Sequence, residues 1–285
     1  MGKGISLDAP TVLAGLALLA ALDIRDAHAG NEANFVLYSQ YTEAAGEIEV
    51  NVYNDFSRGG GGLPRYSAQQ IEIEYGFTDK LVSAFYADAQ KSPDESYQFG
   101  AWRFETRYRL FDYGAVFLNP VLYVEYEAEK PAHRYISEVL GRTDTPEAPG
   151  APRTEHNIET KLILGQDIGK DLDVAFNWIN EVNLDTGHWE FGYAAGLNYS
   201  LYRVERNKAD PWSIRSVKLG AELYGGLGDN TLGLTLDPGV TQQYAGLNLK
   251  TAFSNDVNFM IGAAAGLTSP SERALLRLQL GYEFK

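Results

Sequence analysis

The chain contains no cysteine and only four histidines in 285 residues. A disulfide scaffold and a cysteine-ligated metal centre are therefore excluded. Cationic residues are scarce: 24 Lys and Arg stand against 38 Asp and Glu, a formal charge of −14. That balance argues against a nucleic-acid partner. Long apolar runs are also missing. Beyond the N-terminal segment, none approaches the roughly 20 apolar residues that a spanning helix needs. A polytopic helical membrane protein is excluded. A barrel is not, because only alternate residues of its strands must be apolar.

Aromatic and glycine residues are plentiful: 18 Tyr, 13 Phe and 29 Gly. Such a composition favours strands joined by tight turns. The clearest strand is the last, Ala274 to Lys285. There Leu276, Leu278, Leu280, Tyr282 and Phe284 share one parity, and Arg277, Gln279, Gly281 and Glu283 share the other. Successive side chains of a strand point to opposite faces, so this segment has one apolar and one polar face.

The same alternation recurs along the chain and predicts about twelve strands, the first over 43–53. Connections at 54–65, 89–96, 128–157, 183–188, 226–242 and 267–273 are long. Those at 76–80, 111–116, 168–171 and 253–256 are short, with 202–213 an exception. An even strand count with long and short connections in alternation suits an all-β, closed antiparallel up-and-down transmembrane barrel, with both termini on the periplasmic side. A soluble sandwich or barrel would show the same alternation with its faces reversed. Aromatics towards the strand ends and small or charged residues on the polar face favour the membrane barrel.

Residues 1–29 have the form of a secretory signal: Lys3, an apolar stretch from Pro10 to Leu22, and Ala27-His28-Ala29 as a cleavage site. The barrel domain then runs over 30–285.

Alternation assigns an inward, lumen-lining set. It comprises Glu47, Glu49, Glu72 and Glu74 on the first two strands, and Arg103, Glu105, Arg107 and Arg109 on the fourth. It continues with Glu125 and Glu127 on the fifth, Lys161 on the sixth, Lys218 and Glu222 on the ninth, and Arg277 on the last. Acids outnumber bases over the whole inward face, so an open lumen would prefer cations mildly. Twelve strands lie between filled eight-strand barrels and open porins, and the expectation of a pore or of a filled interior stays open. A filled barrel would act as a structural or adhesion protein through its loops. If the last strand closes on the first, Arg277 should lie near Glu47 or Glu49.

No catalytic, metal or cofactor site is predicted. The histidines beyond the signal, His133, His156 and His188, fall in or beside loops, without a serine at nucleophile–base spacing or any metal-ligand motif. The glycines at 59–62 lack the Lys-Ser/Thr of a phosphate loop and read as a flexible connection.

The end of the final strand, with Leu280, Tyr282 and Phe284 in alternation, resembles the C-terminal assembly signal of Gram-negative outer-membrane β-barrels. Lys285 is one residue beyond the usual aromatic terminus. Asn119 to Tyr126 and Phe176 to Asn180 also resemble segments of an uncharacterised, porin-like group of such barrels. The resemblance implies an outer-membrane location, contact with outer-membrane lipid, and delivery by periplasmic chaperones and the barrel-assembly machinery; transport of a small solute is the expectation that the charged inward face raises.

Overall fold

The computed structural model describes residues 33–60, 65–93, 96–130, 154–207 and 209–284. The proposed signal at 1–29, Lys285, His133 and most of the 128–157 loop lie outside these residues. Among the described residues thirteen strands occur in order: β1 (Ile48–Ser57), β2 (Tyr66–Thr78), β3 (Leu81–Lys91), β4 (Gln98–Arg109), β5 (Val121–Glu129), β6 (Glu155–Ile168) and β7 (Leu172–Asn183). They continue with β8 (Trp189–Arg203), β9 (Ile214–Asp229), the two-residue β10 (Gly233–Leu234), β11 (Gln243–Phe253), β12 (Val257–Gly266) and β13 (Ala274–Phe284).

Every strand except β10 pairs antiparallel with two neighbours, and β13 closes on β1 from Ile48↔Phe284 to Ser57↔Leu275. The result is a twelve-strand barrel, with β10 folding back on β9 as a short hairpin. Closure leaves no barrel strand with an unpaired edge. The beginning of β1 and the end of β13 lie at the short-turn end, which in outer-membrane barrels is the periplasmic end.

The outer surface is apolar. Ile71, Ile73, Phe85, Phe104, Leu122, Val124, Leu223, Leu247 and Leu280 are all exposed. In water such a continuous surface would drive aggregation, whereas against lipid tails it is the stable arrangement. Aromatics gather at both rims: Phe77, Tyr108, Tyr199, Trp212, Tyr282 and Phe284 at the short-turn end, and Phe56, Phe99, Trp102 and Trp189 at the other. Their amphipathic rings suit the headgroup level. The soluble reading, which needs the apolar faces inside, does not hold.

Several expected details differ. The first strand begins at Ile48 rather than at 43, because Glu43 turns into the barrel interior and Gly46 takes a φ of +85°. Glu47 therefore sits before the strand, at the rim. Its carboxylate accepts from the Ala44 amide at 3.1 Å, and it does not line the lumen. Arg277 meets neither Glu47 nor Glu49. The β1–β13 register puts Glu283 opposite Glu49 and Asp55 opposite Arg277. The β4–β5 connection is longer than expected, running over 110–120.

Candidate functional site

The barrel interior is filled at mid-height by the chain's own N-terminal segment. Residues 33–45 have no regular secondary structure, yet Ala33, Phe35, Val36, Leu37, Ser39, Gln40, Thr42 and Glu43 are buried. The segment rises from the short-turn end and anchors by hydrogen bonds that stand in for a strand partner. Near the entrance the Thr42 hydroxyl donates to the Asp79 carbonyl at 2.9 Å, and Gln40 and Tyr41 both donate to Asp167, at 3.1 and 2.7 Å. Higher up, Asn177 and Tyr38 exchange two bonds of 2.7 and 2.8 Å, an amide side chain imitating a ladder pair. Glu222 then accepts from three successive backbone amides, those of Phe35, Val36 and Leu37, at 2.5, 3.1 and 3.2 Å. The Arg277 guanidinium donates to the Phe35 carbonyl at 3.0 Å while holding Asp55 at 2.7 Å. A buried non-ladder backbone needs such partners, because orphaned polar groups cost about 1–3 kcal/mol each.

The segment lies against one wall. Phe35, Val36 and Leu37 pack with Ala175, Ile179, Ala194, Tyr224, Tyr244, Ala264 and Leu275. Ile179, which breaks the alternation expected of β7, points inward to join this cluster. Space for the segment comes from inward glycines. A Cβ on Gly220 would overlap the Ala33 carbonyl, and one on Gly165 would overlap Gln40.

The opposite wall is charged. Arg107 reaches Glu74, Glu43 at 3.4 Å and Glu105 at 2.7 Å. Arg103 joins Asp88 at 3.2 Å and Glu125 at 3.1 Å, and lies over the Tyr86 ring. Glu72 accepts from Asn51, Tyr53 and Tyr86 at 2.6–2.9 Å. Lys161 pairs with Glu159 at 2.7 Å; on the segment's own side, Lys218 of β9 lies 3.9 Å from Asp173 of β7. Arg109, at the short-turn end, donates to the carbonyls of Asp79 and Phe111. Glu49, Glu127 and Glu222 complete the inward set.

Between segment and charged wall remains a polar cavity of about 90 Å³, lined among others by Tyr38, Glu49, Glu72, Glu74, Arg103 and Lys250. That is room for several water molecules.

Of the residues expected in the lumen, all but Glu47 are buried side chains of the interior. The filling segment was not foreseen. Its signal in the sequence was the inward run Gly192, Ala194, Gly196 together with inward Ile179, which leaves a groove that only another part of the chain can fill. Leu280, Tyr282 and Phe284 face outward, the last two rings edge to face at 4.6 Å. His156 stays at the loop end, bonded to the Tyr126 hydroxyl, and His188 lies 3.5 and 3.6 Å from Glu190 and Asp229.

Solved structures resemble this architecture over nearly its whole length. An outer-membrane channel of the COG4313 type from Pseudomonas putida F1 superposes with a TM-score of 0.50 at 13% identity, covering 91% of this chain and 100% of that one. The KdgM porin, solved in complex with disordered oligogalacturonate, superposes with a TM-score of 0.50 at 10% identity, covering 83% and 99%. The chain folds as an outer-membrane β-barrel. No protein-family model and no curated protein matches the sequence. At these identities the likeness fixes the barrel's fold and leaves its solute open.

Proposed function

We propose that this porin-like barrel is a narrow outer-membrane channel for small solutes, with a mild preference for cations, whose conductance is limited by the segment 33–45. The observation that carries the reading is the charge of the interior. Among the described residues, eighteen carboxylate side chains are buried against seven cationic ones. In a low-dielectric enclosure such an excess favours entering cations. The small polar cavity beside the segment supports a restricted path rather than a wide one. No catalytic step is assigned to the protein. Outer-membrane lipid is the partner of its apolar surface, and the outward Leu280, Tyr282 and Phe284 are the strand face offered to the assembly machinery.

Planar-bilayer recordings of the refolded chain across a KCl gradient test this. Small conductance steps with a reversal potential of cation-preferring sign are expected. Glu222→Ala, which removes the acceptor of three segment amides, should raise the step size. Silence at every salt concentration from both proteins would sink the channel reading. It would favour a second one, a closed barrel acting through its loops, which the filled mid-section supports.

A further inference from the structure

The polar cavity beside the segment 33–45 borders one cation that its surroundings leave unmatched. Five cationic side chains line it: Arg103, Arg107, Lys161, Lys250 and Arg277. Four of them are tied to carboxylates at ion-pair distance. Arg103 holds Asp88 and Glu125, Arg107 holds Glu43 and Glu105, Lys161 holds Glu159, and Arg277 holds Asp55. Lys250 is the exception. It is 6% exposed, and among the described residues its ammonium has neither a carboxylate within 4.0 Å nor a hydrogen bond. Glu49 lines the same cavity, but it lies beyond ion-pair distance of Lys250 and accepts from the Asn258 amide at 3.1 Å.

A second observation comes from the neighbouring strand. The register of β9 and β11 sets Lys250 directly opposite Lys218, and both side chains are buried. Like charges directly opposite on neighbouring strands are destabilising. Lys218 finds Asp173 only at 3.9 Å, and that carboxylate also accepts from Asn198 at 3.0 Å. At this rung the acidic balance of the interior is reversed. Taking an ammonium out of water is costly unless it is paired and hydrogen-bonded. Water in the cavity would accept its hydrogen bonds without supplying a negative charge. A bound anion does both.

We propose that the cavity binds one small monovalent anion on the Lys250 ammonium, a halide or the carboxylate of a small organic acid. Lysine presents a compact point charge with three donors, which suits a small ion and does not demand planar, bidentate geometry. A volume of about 90 Å³ admits such an ion together with a few water molecules. One unmatched positive charge calls for one negative charge, and a divalent anion would carry its excess towards Glu49 and Glu72 on the same walls. The site is independent of whether the barrel conducts.

The test follows urea-induced unfolding of the refolded full chain in detergent, at neutral pH and fixed ionic strength. Chloride and formate are each titrated against gluconate as the bulky reference anion. An ion that binds only the folded protein raises the midpoint progressively as its concentration exceeds Kd. Such a rise is expected with at least one of the two, and the one that responds distinguishes a halide site from a carboxylate site. Lys250→Met should weaken the binding about tenfold or more, the size of one charged hydrogen bond, whereas Lys250→Arg should retain it. Glu49→Gln, which removes a negative charge from the same cavity, should move the onset of the rise to lower anion concentration. It keeps the test decisive if Lys250→Met fails to fold. A midpoint indifferent to both anions, or a rise that Lys250→Met retains or Glu49→Gln leaves unmoved, overturns the proposal.

Discussion

The two halves of the barrel interior are built from different chemistry. On β1 to β6 the inward positions carry Glu72, Glu74, Asp88, Arg103, Glu105, Arg107, Glu125 and Lys161, tied into ion pairs and tyrosine hydrogen bonds. On β7 to β12 small and apolar residues (Ala175, Ile179, Ala194, Gly196, Gly220, Gly246, Gly262 and Ala264) stand between fewer buried charges, among them Asp173, Lys218, Glu222 and Lys250. The charged wall supports itself, since its side chains are long enough to meet across neighbouring strands. The small-residue wall cannot, and it is completed by Phe35, Val36 and Leu37 of the N-terminal segment. The difference teaches that one half of the lumen is a structural network and the other a binding groove for residues 33–45 of the same chain.

The most damaging single change should fall on the charged wall. Arg107 serves Glu43, Glu74 and Glu105 at once. Arg107→Ala leaves three buried carboxylates crowded around a missing cation, and breaking a buried pair this way costs about 3–5 kcal/mol. The midpoint of urea-induced unfolding in detergent should fall accordingly. A loss no larger than that of an exposed pair would mean that water screens this wall and that it does not act as a network.

A smaller and different effect is expected from the other wall. Gly220→Val places a side chain where the Ala33 carbonyl sits. Overpacking costs about 1–3 kcal/mol, but here the clash has an outlet, because the segment can leave the groove while the ladder of β9 stays paired. Limited proteolysis should then cut within 33–45, which the parent protein protects, while heat-modifiable gel mobility persists. Equal protection in both proteins would show that the segment is integral to the barrel.

The contrast between walls explains what the sequence revealed and what it concealed. A strand's period of two is a local property, so Leu276 to Phe284 announces its two faces without reference to any other residue. Summed over the chain, that local signal yields the closed barrel and places Glu72, Arg103, Glu125 and Arg277 inside. Partner choice is not local. Arg277 meets Asp55 rather than Glu49 because the β1–β13 register is set by the whole closure and not by charge alone. The filling segment was hidden for another reason: Phe35 to Glu43 has no period. Its position follows from the amides that Glu222 accepts and the glycines that yield space on strands far along the chain.

The least effect should come from an ion pair of the same chemistry outside the lumen. Lys80 and Asp112 meet at 2.7 Å on the turns at the short-turn end, with the aspartate side chain 84% exposed. Hydrogen bonding from the Lys80 ammonium, and then its charge, hold the Asp112 carboxyl below the ordinary aspartate range. A depressed carboxylate stabilises the fold above its unfolded pKa of about 3.9, and that contribution is lost as pH falls through the lower, folded value. Lys80→Ala should therefore leave the unfolding midpoint at neutral pH within error, since exposed pairs contribute little. Any difference from the parent protein should vanish once pH falls below the depressed folded value, where the carboxylate is protonated with or without its lysine. Compared with Arg107→Ala, this variant removes a cation from a carboxylate at a similar distance, and burial is what differs. A large neutral-pH loss from Lys80→Ala would mean that the ion pair itself, rather than its enclosure in the charged wall, sets the magnitude.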